Sequence, residues 1–197
     1  MLRTPLKDGT TRVISPLAKA LLAIGVTANA MTVVGAFGSW LASLYFFSSG
    51  QFFLGTLVVT FFVLSDLFDG TMARLSGRSG TRLGALLDST LDRITDAIMI
   101  VAIFFWAKGN EPSLLIPLLL ALASGFLISY IKARAEALSI PCDVGIAERA
   151  ERLIVILVST GLFGLGVDQA LALGIWLLVV INLITVVQRF YTVLKNA

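Results

Sequence analysis

Apolar residues come in six blocks, at 30–48, 52–75, 84–107, 113–138, 146–166 and 169–194, each close to the roughly 17 to 25 residues that a helix needs to cross a bilayer. Polar and charged residues collect between alternate blocks and enter the third, fourth and fifth over part of their length. The pattern predicts an all-α integral membrane protein with six transmembrane helices. Ahead of them Val13, Ile14, Leu17, Leu21 and Leu22 recur at helical spacing while Arg12 and Lys19 fall elsewhere. That predicts an N-terminal amphipathic juxtamembrane helix over 10–25, lying on the membrane surface. A single domain is expected over 1–197, made of an interfacial segment, 1–28, and a six-helix core, 29–197; no repeat or low-complexity tract divides it, and no cleavable leader is read at the start.

Composition supports this and narrows the chemistry. The chain is 57% hydrophobic with a mean hydropathy of +0.94, far above soluble globular proteins. One cysteine, Cys142, allows no intrachain disulfide. Histidine is absent, which removes the commonest general base and every Ser/His or Cys/His nucleophilic pair, so carboxylates must carry any acid–base work. With six spans the loops at 48–51, 107–112 and 166–169 face one side and hold only Lys108 of the 15 lysines and arginines. The other side is therefore cytoplasmic, both termini with it, and the asymmetry suggests a multi-pass protein of the plasma membrane.

Against that apolar background the stretch "SDLFDGTMARLSGRSGTRLGALLDSTLDR", residues 65–93, is dense in charge. Asp66 and Asp69 lie about 8 to 12 Å from the cytoplasmic end of the second span, and Asp88 and Asp92 about 6 to 12 Å into the third, at 1.5 Å per residue. Spacings of three and four put each pair on one helix face. Four carboxylates meeting at one depth would repel unless protonated or bridged by cations, and oxygen ligands at this density favour magnesium or manganese. Gly70 and Gly84 leave room beside these acids for a ligand or a neighbouring helix. Arg74 is placed to neutralise a carboxylate or grip a phosphate.

These residues fill every position of DxxDGxxAR followed by GxxxDxxxD: Asp66, Asp69, Gly70, Ala73, Arg74, Gly84, Asp88 and Asp92. The pattern resembles the signature of the CDP-alcohol phosphotransferase family. The resemblance implies a magnesium-dependent enzyme that transfers the phosphatidyl group of a CDP-linked lipid to an alcohol and releases CMP. It assigns two metal ions, with Mn2+ a possible substitute for Mg2+, to Asp66, Asp69, Asp88 and Asp92, and makes Asp92 the general base. It places Asp66, Gly70, Ala73, Arg74, Thr81 and Gly84 around CDP-diacylglycerol. Asn29, Ala30, Met31 and Thr32, from "TANAMT", join them; Asn29 stands where the family commonly has an acidic residue. Family members form homodimers through membrane helices, so a homodimer is expected, and no nucleic-acid partner.

A second set of charges points to the acceptor. Lys132 and Arg134 close the fourth span, Arg149 and Arg152 open the fifth, and Arg189 lies late in the sixth. Such residues often serve only as interfacial anchors. Their surplus over Glu136, Glu148 and Glu151 nevertheless suits a phosphomonoester dianion, which a neutral alcohol would not need. Charge alone leaves glycerol 3-phosphate and myo-inositol phosphate open. The runs "ISYIKARAEA", "ERAERL" and "TRLGALLDSTLDRITD" are similar to the actinobacterial phosphatidylinositol phosphate synthases within the family. That similarity implies myo-inositol phosphate as acceptor, bound by Lys132, Arg134, Arg152 and Arg189 with Arg149 a weaker contributor. Asp96, one turn past Asp92, is expected to pair with Arg93. The alternatives are a phosphatidylglycerophosphate synthase and, from a different class, a divalent cation transporter. The transporter is disfavoured because the outer halves of the second and third spans, "FFLGTLVVTFFVL" and "AIMIVAIFFWA", offer no polar path.

Overall fold

The structure, a computed structural model, describes residues 16, 20, 22–64, 72 and 81–196. Among these are six α-helices: α1 (Ala28–Ala42), α2 (Phe52–Leu64), α3 (Arg82–Asn110), α4 (Leu115–Ala137), α5 (Arg149–Gly164) and α6 (Ala170–Asn196). A π turn, Ser43–Phe47, extends α1, and a 3-10 turn, Pro112–Leu114, leads into α4. The amphipathic helix expected over 10–25 falls almost wholly outside the described residues, as does the second span beyond 64 except for 72.

The six helices fall on the six apolar blocks, yet among the described residues only the stretches Ala28–Phe47, Pro112–Ala137 and Ala170–Asn196 are long and apolar enough to cross a membrane. Phe52–Leu64 is apolar but shorter. In α3 the charges Asp88, Asp92, Arg93 and Asp96, and in α5 Arg149, Glu151 and Arg152, lower the hydropathy. The first turn of α5 also begins three residues later than the apolar block, because 138–148 is irregular.

α6 shows why this is a membrane protein. Its buried stripe, Leu171, Gly174, Ile175, Leu178, Val179, Asn182, Thr185 and Arg189, contains an amide, a hydroxyl and a guanidinium. Its exposed face is Leu173, Trp176, Leu177, Val180, Leu183, Ile184 and Val187. Polar groups inside and large apolar groups outside reverse the arrangement of a water-soluble helix and fit lipid as the surroundings.

Contacts divide the chain into two units, Met1–Leu41 with Val58–Thr95, and Ala42–Leu57 with Asp96–Ala197. In the first, Thr27 caps α1 by accepting the Ala30 N–H at 3.2 Å. Gly38 lies under the Phe62 ring, where a Cβ would stand 2.3 Å from it, and Trp40 Nε1 donates to Thr95 Oγ1 at 2.8 Å. In the second, Phe47, Phe52, Trp106 and Phe163 form an aromatic cluster with neighbouring centroids 4.9–5.7 Å apart. α6 packs on both α4 and α5. Close approach comes from small residues and hydroxyls: a Cβ at Gly174 would collide with Ser159, and Thr56 and Thr160 share a 2.8 Å hydrogen bond. Asn182 Nδ2 ties α6 to α4 by donating to Ala121 O and Ser124 Oγ, at 3.2 and 3.1 Å.

Candidate active site

The start of α3 gathers three of the residues expected around the donor. Thr81 caps the helix, its hydroxyl accepting the Gly84 N–H at 3.0 Å and its carbonyl the Ala85 N–H at 3.0 Å. A Cβ on Gly84 would stand 2.8 Å from Thr81 Oγ1 and 3.3 Å from Asn29 Oδ1. The missing side chain is thus what lets the Asn29 amide, from the first turn of α1, reach the α3 N-terminus. Ala30, Met31 and Thr32 follow on that same turn, where the Thr32 hydroxyl donates to Ala28 O. Two helix N-termini, each bringing the positive end of a helix dipole, make this a region suited to phosphate.

Asp88 and Asp92 lie further along α3, four residues apart and so on one face. Asp88 is exposed, while the Asp92 side chain keeps 15% of its surface, with Arg93 Nη2 4.0 Å from its carboxylate. Their four oxygens are hard donors that fit a divalent cation such as magnesium or manganese. Asp66, Asp69, Gly70, Ala73 and Arg74 lie outside the described residues. Among the described residues no group of three or more His, Cys, Asp or Glu could hold a metal ion.

The cations expected around the acceptor lie in the second unit. Arg152, whose side chain is 8% exposed, donates from Nη2 to Asp96 Oδ2 at 3.0 Å and from Nη1 to Ala147 O at 3.1 Å. Arg149 Nε is 3.7 Å from the other Asp96 oxygen. Asp96 thus meets the arginine pair of α5, two partners beyond Arg93, the one expected along the helix. Arg189, 4% exposed, donates to Val144 O from Nε at 2.9 Å and to Ile128 O from Nη1 at 2.8 Å. Lys132 Nζ sits 2.8 Å from Asp143, and Arg189 is near enough to act electrostatically on both. That hydrogen bond and charge hold the Asp143 carboxyl below the usual carboxylate range. Arg134 is exposed and, two positions on, lies about 200° round α4 from Lys132, so the helix does not present the two together.

Asp143 and Thr185 were not singled out by the sequence. The only available signal was "PCDVG", an acidic residue in a short polar loop between two cationic helix ends.

Comparison with known proteins places this geometry. The crystal structure of Mycobacterium tuberculosis phosphatidylinositol phosphate synthase with CDP-DAG bound superposes with a TM-score of 0.90 at 42% identity, covering 94% of this chain and 95% of that one. The same enzyme in complex with manganese and citrate gives 0.89 at 41% identity, covering 93% and 90%. The phosphatidylinositol phosphate synthase of Streptomyces avermitilis is 41% identical over 196 residues, 95% of this chain and 80% of its own. Residues 25–190 match the sequence model of the CDP-alcohol phosphatidyltransferases, and the chain belongs to that family.

Proposed function

We propose that this protein transfers the phosphatidyl group of CDP-diacylglycerol to a hydroxyl of myo-inositol phosphate, giving phosphatidylinositol phosphate and CMP. The observation that carries the reading is the cation set of the second unit, two of whose members, Arg152 and Arg189, are buried. Lys132 pairs with Asp143, Arg149 and Arg152 with Asp96, and Arg189 lies beside the Lys132–Asp143 pair, a gathering of cations that suits an anionic phosphomonoester. The similarity to synthases of that name, one of them solved with CDP-DAG, supports the same donor and acceptor.

In this mechanism the acceptor hydroxyl attacks the phosphatidyl phosphorus in line, its proton passes to the Asp92 carboxylate, and the bond to the CMP oxygen breaks. Asn29, Thr81 and Gly84, with Ala30, Met31 and Thr32, border the donor; Gly70, Ala73 and Arg74 complete its pocket. Lys132, Arg152 and Arg189 orient the acceptor through its phosphate, with Arg134 and Arg149 at the margin. Asp66, Asp69, Asp88 and Asp92 would hold two Mg2+ ions, with Mn2+ a substitute; manganese in a relative's structure supports a divalent ion. Bound there, the metal supplies charge neutralisation at the pyrophosphate.

The protein works as a homodimer in the plasma membrane, with six spans, both termini and the active site on the cytoplasmic side. The charge pattern supports that orientation, since 14 of the 15 basic residues fall at or near one set of helix ends. Purified, metal-replete protein given CDP-diacylglycerol is tested by CMP release. Myo-inositol phosphate should support turnover, and free inositol should not. Equal rates with free inositol would remove the role of the cation set.

A further inference from the structure

The loop between α4 and α5 is fastened to α6 on both sides of one exposed acid. Cys142 Sγ donates to the Arg189 carbonyl at 3.9 Å, and the Val144 carbonyl accepts from Arg189 Nε at 2.9 Å. The Ile146 N–H donates to Gln188 Oε1 at 3.2 Å and the Ala147 N–H to Thr185 Oγ1 at 3.0 Å. Gly145 has φ +130°, and a Cβ there would stand 2.5 Å from the Thr185 methyl, so the path of the loop admits no side chain at that point. Asp143 sits between the two residues held by Arg189. Its side chain is 86% exposed, and its carboxylate meets Lys132 Nζ at 2.8 Å.

An exposed pair of this kind contributes little to stability. A backbone so closely held around it nevertheless fixes where the carboxylate stands, and it stands on the ammonium that the proposed function assigns to the acceptor's phosphate. A carboxylate and a phosphate oxygen are the same kind of partner for an ammonium: anionic acceptors at hydrogen-bond distance. The dianion brings more charge and more oxygens, so it wins the exchange, at the cost of breaking the resting pair.

We infer that Asp143 is a built-in competitor for the acceptor phosphate: it neutralises Lys132 in the resting enzyme, and the incoming phosphate displaces it. Asp143 thereby sets acceptor affinity below what the cations alone would give. This rests on the reading that Lys132 binds the acceptor's phosphate.

The test is steady-state kinetics of the full-length protein at saturating CDP-diacylglycerol, with Asp143→Asn, Lys132→Met and the double variant. Asp143→Asn should lower the KM for myo-inositol phosphate about threefold, the range open to an exposed ion pair. The inhibition constant of inorganic phosphate against the acceptor should fall by the same factor, and the donor KM should not move. Lys132→Met should raise the acceptor KM about tenfold or more, and adding Asp143→Asn to it should change nothing further. An unchanged or higher acceptor KM in Asp143→Asn, beside a raised one in Lys132→Met, overturns the inference and leaves the acceptor site standing. A normal acceptor KM in Lys132→Met removes both.

Discussion

Replacing Asp96 by alanine removes the carboxylate that faces two arginines of α5. The Arg152 side chain, 8% exposed, then keeps only the Ala147 carbonyl, 3.1 Å from Nη1, among its bonded partners. Removing one partner of a buried pair costs about 3 to 5 kcal/mol, because the remaining charge stays desolvated. The Asp96 side chain is 22% exposed, which favours the lower end, about 3 kcal/mol. For a chain of 197 residues each kcal/mol moves the midpoint by about 2 to 4 °C, so Asp96→Ala should unfold about 6 to 12 °C earlier. Thermal unfolding of purified protein in detergent, followed by tryptophan fluorescence, reads this directly. The double variant Asp96→Ala/Arg152→Met removes the more buried of the two stranded guanidinium groups, leaving Arg149 at 22% exposure, and should recover part of the loss. A single variant within about 2 °C of the parent, or a double variant less stable than the single, would refute the reasoning. The acceptor KM of Asp96→Ala should also rise while the donor KM holds, since the arginines it orients are those proposed for the acceptor site.

Gly84→Ala should be close to neutral in stability, because the gain in helix propensity of about 1 kcal/mol offsets damage to the Thr81 cap of similar size. Its donor KM should nevertheless rise about fivefold or more as the new methyl pushes Asn29 away, and fluorescence-detected unfolding beside donor titrations separates the two effects. Asp92→Asn should lower kcat at least about a hundredfold while the binding of CDP-diacylglycerol, measured by calorimetry, stays near normal. Retained turnover would take the role of base away from that residue.

Helix positions were legible because apolar blocks of bilayer length leave little freedom in where a helix begins. The start of α5 was misplaced by three residues, since nothing in "IAE", 146–148, marks a break, while the Gln188 and Thr185 side chains that accept the Ile146 and Ala147 N–H groups come from some 40 positions away. The partners of Asp96 were read incompletely for a related reason. Arg93 is a natural neighbour along the helix, and only packing reveals that α5 brings Arg149 and Arg152 to the same carboxylate. At the start of α3 the reading went further. Glycine at position 84 was expected to allow close approach, and the group that approaches is Asn29. Lys132 and Arg134 could not be told apart by composition, because only the helix phase separates a residue facing Asp143 from one that is exposed.

The identity of the lipid made when acceptors compete tests the central claim most directly. With CDP-diacylglycerol, Mg2+ and equal concentrations of myo-inositol phosphate and glycerol 3-phosphate, mass spectrometry of the extracted lipid should show phosphatidylinositol phosphate in excess, formed one for one with CMP. Phosphatidylglycerophosphate as the main product, or CMP released without a new inositol lipid, would contradict it.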